Sequence, residues 1–389
     1  MTYKIKKQRE IIDRKKVFAE LEAIANDPAL KSFKRRTAVL NKLKSVLEAG
    51  RSVIRARFEE SNSGQDTVFS NSFLMDQIVR LIHDFATTFE YPLHNPTNEQ
   101  RMSVVAVGGY GRGDMAPHSD VDILFLFPYK QTAHGEQVVE FILYMLWDLG
   151  LKVGHATRSV DDCLRMGKQD ITIRTNLLES RFVWGDEETY KQFRTRFIEE
   201  LVKGSGIEFI EKKLGERDER HTRMGDSRYV VEPNVKDGKG GLRDLHTLFW
   251  IGKYLYRVNS PMELVELKVL TRKEARGFLK AQNFLWAVRC WLHYLSDREE
   301  DRLTFDMQRE IAERLGYTDH AGASGVERFM KHYYLMVKHV GNLTRIFCAA
   351  LEESHQRRPL IRFPGKLFGT KEIDGFELRN DRLTVESLD

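Results

Sequence analysis

Cysteine is scarce: Cys163, Cys290 and Cys348 are the only three in 389 residues, and none is paired in a Cys-x-x-Cys spacing. That argues against a zinc knuckle and against a disulfide framework, and it suits a reducing cytoplasmic setting. Long apolar runs are missing as well. Phe141 to Trp147 is the nearest approach and is far too short to span a bilayer, so no membrane partner is expected. Met1 to Lys16 is charged and has no apolar centre, so no secretory signal is expected there. Neither sign of charge dominates: 62 Lys and Arg against 57 Asp and Glu leave a net charge of +5. Such a balance permits an anionic ligand without demanding nucleic acid. Two common nucleotide motifs are also absent. No Gly-Lys-Ser/Thr closes a P-loop, and Gly109-Tyr110-Gly111-Arg112-Gly113 does not meet Gly-x-Gly-x-x-Gly. Pro117 argues against a helix opening at that point.

What remains is an ordinary folding composition, 41% hydrophobic and 31% charged, long enough for two or three domains. Residues 1–95 read as helices. Val39, Leu40, Leu43, Val46, Leu47, Ile54 and Phe58 recur at helical spacing, and Lys42, Lys44, Arg51, Arg55 and Arg57 fall mostly between them as a solvated basic face. A further helix is expected from about Phe73 to Phe89, then a loop from Pro92 to Glu99. Residues 96–186 alternate strand and helix, the signature of an α/β segment. Strands are expected at Val104–Val107, Val121–Phe127 and Leu151–Ser159, with helices at Val138–Leu149, from Asp161, and over Ile171–Phe182. Residues 187–358 are mostly helical, and 359–389 begin a further β-containing segment. There, Phe376–Arg379 and Arg382–Val385 read as a hairpin, and the end at Asp389 has the look of a truncation. The overall expectation is an α+β fold: a small mixed sheet with flanking helices, set between largely α-helical regions.

The centre of the chain is Val104 to Phe127. Two short apolar strands flank Gly108-Gly109, a turn and Ser119-Asp120-Val121-Asp122. Side chains alternate along a strand, so Asp120 and Asp122 point the same way. Carboxylates that close repel each other unless a cation lies between them, and hard oxygen ligands suit magnesium. Gly108 and Gly109 allow a sharp turn and close backbone approach to phosphate. Either half alone is commonly just a turn or a solvated strand start; the ordered combination is far more specific.

A second candidate anion site interrupts the helical region. Tyr229-Val230-Val231 reads as a short strand that enters the loop Glu232 to Gly241, and a helix follows from Leu242. Gly240 and Gly241 would stand at that helix N-terminus, with Lys236, Lys239 and Arg243 nearby. His332 and His339 show no spacing with acids that would mark a metal site, and core or surface roles are expected for them.

The string Gly-Gly-Tyr-Gly-Arg-Gly, five residues, then Ser-Asp-Val-Asp resembles the nucleotidyltransferases of the DNA polymerase β superfamily. With Glu232-Pro233-Asn234-Val235-Lys236 and Gly240-Gly241-Leu242-Arg243-Asp244-Leu245-His246, the resemblance narrows to the PII uridylyltransferase family and covers nearly the whole chain. It implies a polymerase β-like core. It also implies transfer of UMP from UTP to a tyrosine of a PII nitrogen-signalling protein, with release of pyrophosphate. Asp120 and Asp122 would be the catalytic metal ligands for Mg2+. Gly108, Gly109, Arg112, Ser119, Lys236, Lys239, Gly240, Gly241 and Arg243 would hold the nucleotide. The family's HD phosphohydrolase and ACT regulatory domains have no counterpart here, so uridylyl removal and glutamine sensing are not expected.

Many superfamily members carry a third carboxylate on a later strand. Leu151 to Arg158 has no acid, so His155, Asp148, Asp161, Asp162, Glu179 and Glu232 stay open as candidates for the base. Three other functions compete: an adenylyltransferase acting on glutamine synthetase, a non-catalytic nucleotide-binding module, and an RNA nucleotidyltransferase. The paired acids disfavour the second, and the dispersed charge disfavours the third.

Overall fold

A computed structural model describes residues 5–93, 97, 100–354 and three short strands within 371–384. The first helices are α1 (Gln8–Ile11), α2 (Arg14–Ala25), α3 (Ser32–Ser61) and α4 (Gly64–Phe85), followed by a π-helical turn at Ala86–Glu90. Helix α4 starts nine residues before the expected Phe73. The Ser63 side chain accepts from the Asp66 amide, and the polar-looking first turns still bury Thr67, Val68 and Ser70. Part of the expected loop at Pro92–Glu99 lies outside the described residues, as does Arg357–Gly369, which reads as irregular in the sequence.

The sheet segment follows: β1 (Ser103–Ala106), α5 (Gly108–Arg112), β2 (Val121–Phe127), α6 (Ala133–Asp148), β3 (Val153–Ser159), α7 (Val160–Gln169), α8 (Ile171–Leu178) and β4 (Arg181–Gly185). Strand order is β3-β2-β1-β4; β2 runs parallel to β3, and β1 runs antiparallel to β2 and β4. Two expectations fail here. A short helix does open after Gly108, because Pro117 lies beyond its end. The expected helix over Ile171–Phe182 stops at Leu178, and Arg181–Gly185 is a strand pairing with β1. Local apolar spacing did not distinguish the two states; the ladder with β1 decided.

The rest is helical: α9 (Glu187–Arg196), α10 (Gly206–Arg223), α11 (Leu242–Tyr256), α12 (Glu263–Glu266), α13 (Arg272–Ser296), α14 (Phe305–Arg314) and α15 (Gly325–Ser354). Tyr229–Val231 forms no strand. The Val230 carbonyl accepts from the Tyr334 hydroxyl and that of Val231 from Gln308, so side chains take the place of a ladder. At the end, β5 (Lys371–Ile373), β6 (Phe376–Arg379) and β7 (Arg382–Thr384) form an antiparallel sheet that contains the expected hairpin. Among the described residues, no helix is long and apolar enough to cross a membrane.

The four-stranded sheet partitions two cores. Val121, Ile123, Phe125 and Phe127 pack with α2–α4 and α6. Leu124 and Leu126 pack with α7–α15. Period-two alternation therefore decides which core each residue enters. Arg181 fastens this layer to α4: its guanidinium pairs with both oxygens of Asp76 at 2.7 and 3.0 Å and donates to the Tyr110 carbonyl at 3.1 Å. Arg181→Ala strands a buried carboxylate and is expected to cost about 3 kcal/mol. Arg181→Lys should recover little, because an ammonium cannot make the two-pronged contact. Urea unfolding of the three proteins checks this; a lysine variant as stable as the wild type would refute it.

Candidate active site

The strand β1 delivers the chain into α5, and Val107 N–H donates to the Asp122 carbonyl at 3.0 Å, which locks the turn onto β2. Gly108 has φ +58°, and a Cβ there would meet Asp122 Oδ2 at 2.8 Å. On the other side, Gly154 of β3 is the register partner of Asp122, and a Cβ there would lie 2.3 Å from Oδ1. The Asp122 carboxylate thus sits in a slot made by two missing side chains. Asp120 precedes β2 and is exposed. Burial pushes the Asp122 carboxyl up, the Asp120 charge pushes it further, and Arg112 and Lys236 oppose both.

Gly108, Gly109, Arg112, Ser119, Asp120, Asp122, Lys236 and Arg243 line one cavity of about 760 Å³ between the sheet and α8, α10, α11 and α13. Its cations are held by neighbouring acids. Arg112 pairs with Asp114 at 3.0 Å and Glu179 at 3.3 Å. Lys236 pairs with Glu299 at 3.0 Å and Asp301 at 3.5 Å, and Arg243 with Asp237 at 3.3 Å. Arg112, Lys213 and Arg243 gather on Trp250, whose ring centre lies 5.7, 4.9 and 5.9 Å from them.

Lys239, Gly240 and Gly241 are not brought into that cavity. The Gly240 amide donates to Asp244 Oδ2 at 2.7 Å, and the Gly241 amide to the Gly238 carbonyl at 2.8 Å. Asp244 is buried, also pairs with Arg220, and lies 2.9 Å from His221 Nε2. The helix N-terminus that sequence offered to phosphate is filled by the chain's own carboxylate. Lys239 pairs with Asp226 at 2.6 Å on the far side of the loop.

None of the acids considered for the base lines the cavity, and each is held in an ion pair. Asp148 pairs with Arg36, Asp161 with Arg196, Asp162 with Arg165, Glu179 with Arg112 and Lys253, and Glu232 with Arg302. His155 pairs in register with Ile123, on the opposite face from Asp122, and its ring meets Trp147 at 5.9 Å. His332 is bound to the Tyr317 hydroxyl. Residues missed in the sequence include Lys213, Thr175, Asn176, Trp250, Arg289 and Glu299, which reach the cavity only through helix packing. Gly154 could have been found: a glycine inside a strand marks close approach.

Asp120 and Asp122 fit a divalent cation. They are hard oxygen donors whose mutual repulsion is recorded in the raised Asp122 carboxyl, and neither makes a side-chain hydrogen bond or ion pair among the described residues. No cluster of three or more His, Cys, Asp or Glu suited to a metal occurs among those residues.

Behind the glycine turn, His246 is buried with Nε2 3.1 Å from Asp114 Oδ2, poorly aligned for a hydrogen bond. Burial pushes its imidazole down, Arg112 adds to this, and Asp114 only partly offsets them, leaving it at about 4. Asp114 is raised by burial but overridden by Arg112 and His246, to about 2.

Residues 95–178 match the nucleotidyltransferase domain family and residues 208–348 the GlnD PII-uridylyltransferase family. The chain is 54% identical, over 99% of its length, to a bifunctional uridylyltransferase/uridylyl-removing enzyme of Azospirillum brasilense. It is 55% identical over 98% of its length to one of Rhodospirillum rubrum. It spans only 42% and 41% of those relatives. Nucleotidyltransferase domains generally use divalent metal ions.

Two predictions follow from the packing. Gly154→Ala should leave the fold intact but displace Asp122, so metal-dependent nucleotide binding drops at least about tenfold; calorimetry reads it, and unchanged affinity refutes it. His246 is neutral in the fold and titrates near its ordinary value when unfolded, so stability is full above pH 6.5 and falls as pH drops toward about 4. The full penalty is on the order of 3 kcal/mol. His246→Gln should shrink the loss between pH 7 and pH 4.5 by about 2 kcal/mol, measured by denaturant titration at both values.

Proposed function

We infer, for a chain that belongs to the PII-uridylyltransferase branch of the nucleotidyltransferases, that it transfers UMP from UTP to a tyrosine hydroxyl of a PII signalling protein. The observation that carries this reading is the shared cavity: Asp120 and Asp122 face Arg112, Lys236 and Arg243 across a space large enough for a nucleoside triphosphate. In this reading residues 96–186 supply the carboxylates, and the helices between residues 187 and 354 close the cavity over the nucleotide.

The tyrosine oxygen forms the new bond to the α-phosphorus, the α–β bridging bond breaks, and pyrophosphate leaves with the proton released to solvent. Magnesium held by Asp120 and Asp122 would neutralise phosphate charge as that bond breaks. Gly108 and Gly109 bring backbone close to the triphosphate, and Ser119 offers a hydroxyl beside it. Lys236 and Arg243, each tethered by one carboxylate or more, hold positive charge at the pyrophosphate end without collapsing onto the acids. Arg112 is the least free: two buried carboxylates fix it, so it shapes the turn as well as the potential.

Asp120→Asn and Asp122→Asn keep shape and remove charge, so folding should survive. Each should lower single-turnover transfer to PII at least about a hundredfold, and the double variant should lose little more, because both serve one centre. Transfer from UTP, ATP, CTP and GTP should be compared with the same protein. Near wild-type transfer by either variant, or a preference for ATP, would overturn the assignment.

A further inference from the structure

The loop Asn234–Gly241 is a wall with a cavity on each side. Lys236 and Asp237 line the nucleotide cavity, while Asn234, Gly238 and Lys239 line a second recess of about 330 Å³. The two meet at Arg223 and Met224, which line both. The recess is basic: Arg223, Arg228, Lys239 and Arg302 line it, against a single acid, Glu232. Glu232 is committed to Arg302 at 2.8 Å and to the Phe305 amide at 3.1 Å. Lys239 is held by Asp226. Arg228 makes no hydrogen bond or ion pair among the described residues, and its Nε is buried without a partner. It is packed close to the backbone of Gly341, where a Cβ would lie 2.6 Å from its guanidinium carbon.

Exposed apolar side chains stand on and beside this recess. Met224, 41% exposed, and Val230, 37%, line it; Tyr229 and Val231, 62% and 58% exposed, adjoin Val230 in the chain, and Phe305, 62% exposed, is tied to Glu232 through its amide. The segment is not loose: Tyr334, Gln308 and the Phe305 amide pin it through Val230, Val231 and Glu232. A pinned segment with apolar side chains turned outward beside an uncommitted guanidinium has the composition of a protein-binding surface, with apolar anchors and a charged recess. None of these groups belongs to the nucleotide cavity except at the shared corner.

We propose that this recess and its apolar rim dock the acceptor protein, taking a segment that carries a carboxylate and an apolar side chain close to the acceptor hydroxyl. The inference rests on the uridylyltransferase reading. Nucleotide occupies the first cavity, so the acceptor must enter from its mouth, and the corner at Arg223 and Met224 leads from the docked segment to the reacting phosphate. A carboxylate on that segment would give Arg228 the partner that none of the described residues supplies. The exposed rim side chains would be covered by apolar groups of the same segment.

Val231→Asp and Arg228→Glu test this in the complete chain, with PII as varied acceptor. Each should raise the KM for PII at least about tenfold, with kcat and the Kd for UTP in magnesium within about twofold of wild type. Val231 is exposed, so its variant reports even where Arg228→Glu disturbs packing on α15; thermal unfolding checks both. A KM for PII within about twofold of wild type in the Val231 variant overturns the inference. So does a change in kcat with KM fixed, which would mean that another part of the same protein covers the surface. Wild-type protein that transfers nothing to PII overturns the uridylyltransferase reading and this inference with it, whereas normal transfer with an unmoved KM overturns the docking surface alone.

Discussion

The two motifs meet because of one carboxylate. Asp301 lies 2.6 Å from Arg289, 3.5 Å from Lys236 and 3.6 Å from His293. His293 Nδ1 accepts from the His118 amide at 3.2 Å, two residues before Asp120. The Asp301 carbonyl also accepts from Val235 N–H, one residue before Lys236. A buried charge of this kind costs several kcal/mol to desolvate and adds little net stability. Its use lies in specificity of arrangement. Burial pushes the Asp301 carboxyl up, but His293, Arg289 and Lys236 outweigh it and hold it well below the usual carboxylate range. It therefore stays charged and, with Glu299, holds Lys236 at the wall of the cavity that Asp122 also lines.

A second buried carboxylate shows why motif reading can mislead. Lys239, Gly240 and Gly241 have the chemistry of an anion site, and the structure does place an anion at the Gly240 amide: Asp244. An N-terminal carboxylate satisfies the helix end and removes the positive potential a phosphate would need. The same carboxylate neutralises Arg220 at the cavity wall. Sequence gives the amides and cations of such a loop but not which of them are already committed.

Legibility divides along the range of the interactions involved. The strands Ser103–Ala106 and Val121–Phe127, the turn between them and the placement of Asp120 and Asp122 in one cavity are local consequences of apolar runs, glycine and alternation. Strand β4 was hidden because Arg181–Gly185 is short and its partner β1 lies almost eighty residues back. Thr175, Asn176 and Lys213 carry no local mark; they line the cavity because α8 and α10 pack across the sheet from a distant stretch of chain. The strand expected at Tyr229–Val231 failed for the converse reason. Its β-branched, aromatic composition is real, but no neighbouring strand offers a ladder, and Tyr334 and Gln308 take its carbonyls.

The sheet explains why fold and chemistry are not separable here. Along β2 the odd positions Val121, Ile123, Phe125 and Phe127 enter the core built by the N-terminal helices. The even positions Leu124 and Leu126 face the other core, and Asp122 shares their face. The cations of the cavity, Lys236 and Arg243 among them, come from that same side. One alternation therefore fills two cores and delivers a carboxylate to the side where Arg112, Lys236 and Arg243 line the cavity. A slip of one residue would turn Asp122 into the apolar core that holds Ile82 and Ile142 and turn Ile123, Phe125 and Phe127 away from it, at a cost no local contact could offset. Register on β2 is thus fixed by hydrophobic packing, and the position of the reactive carboxylate follows from it. The missing side chain at Gly154, its register partner, then decides whether that carboxylate has room to stand upright.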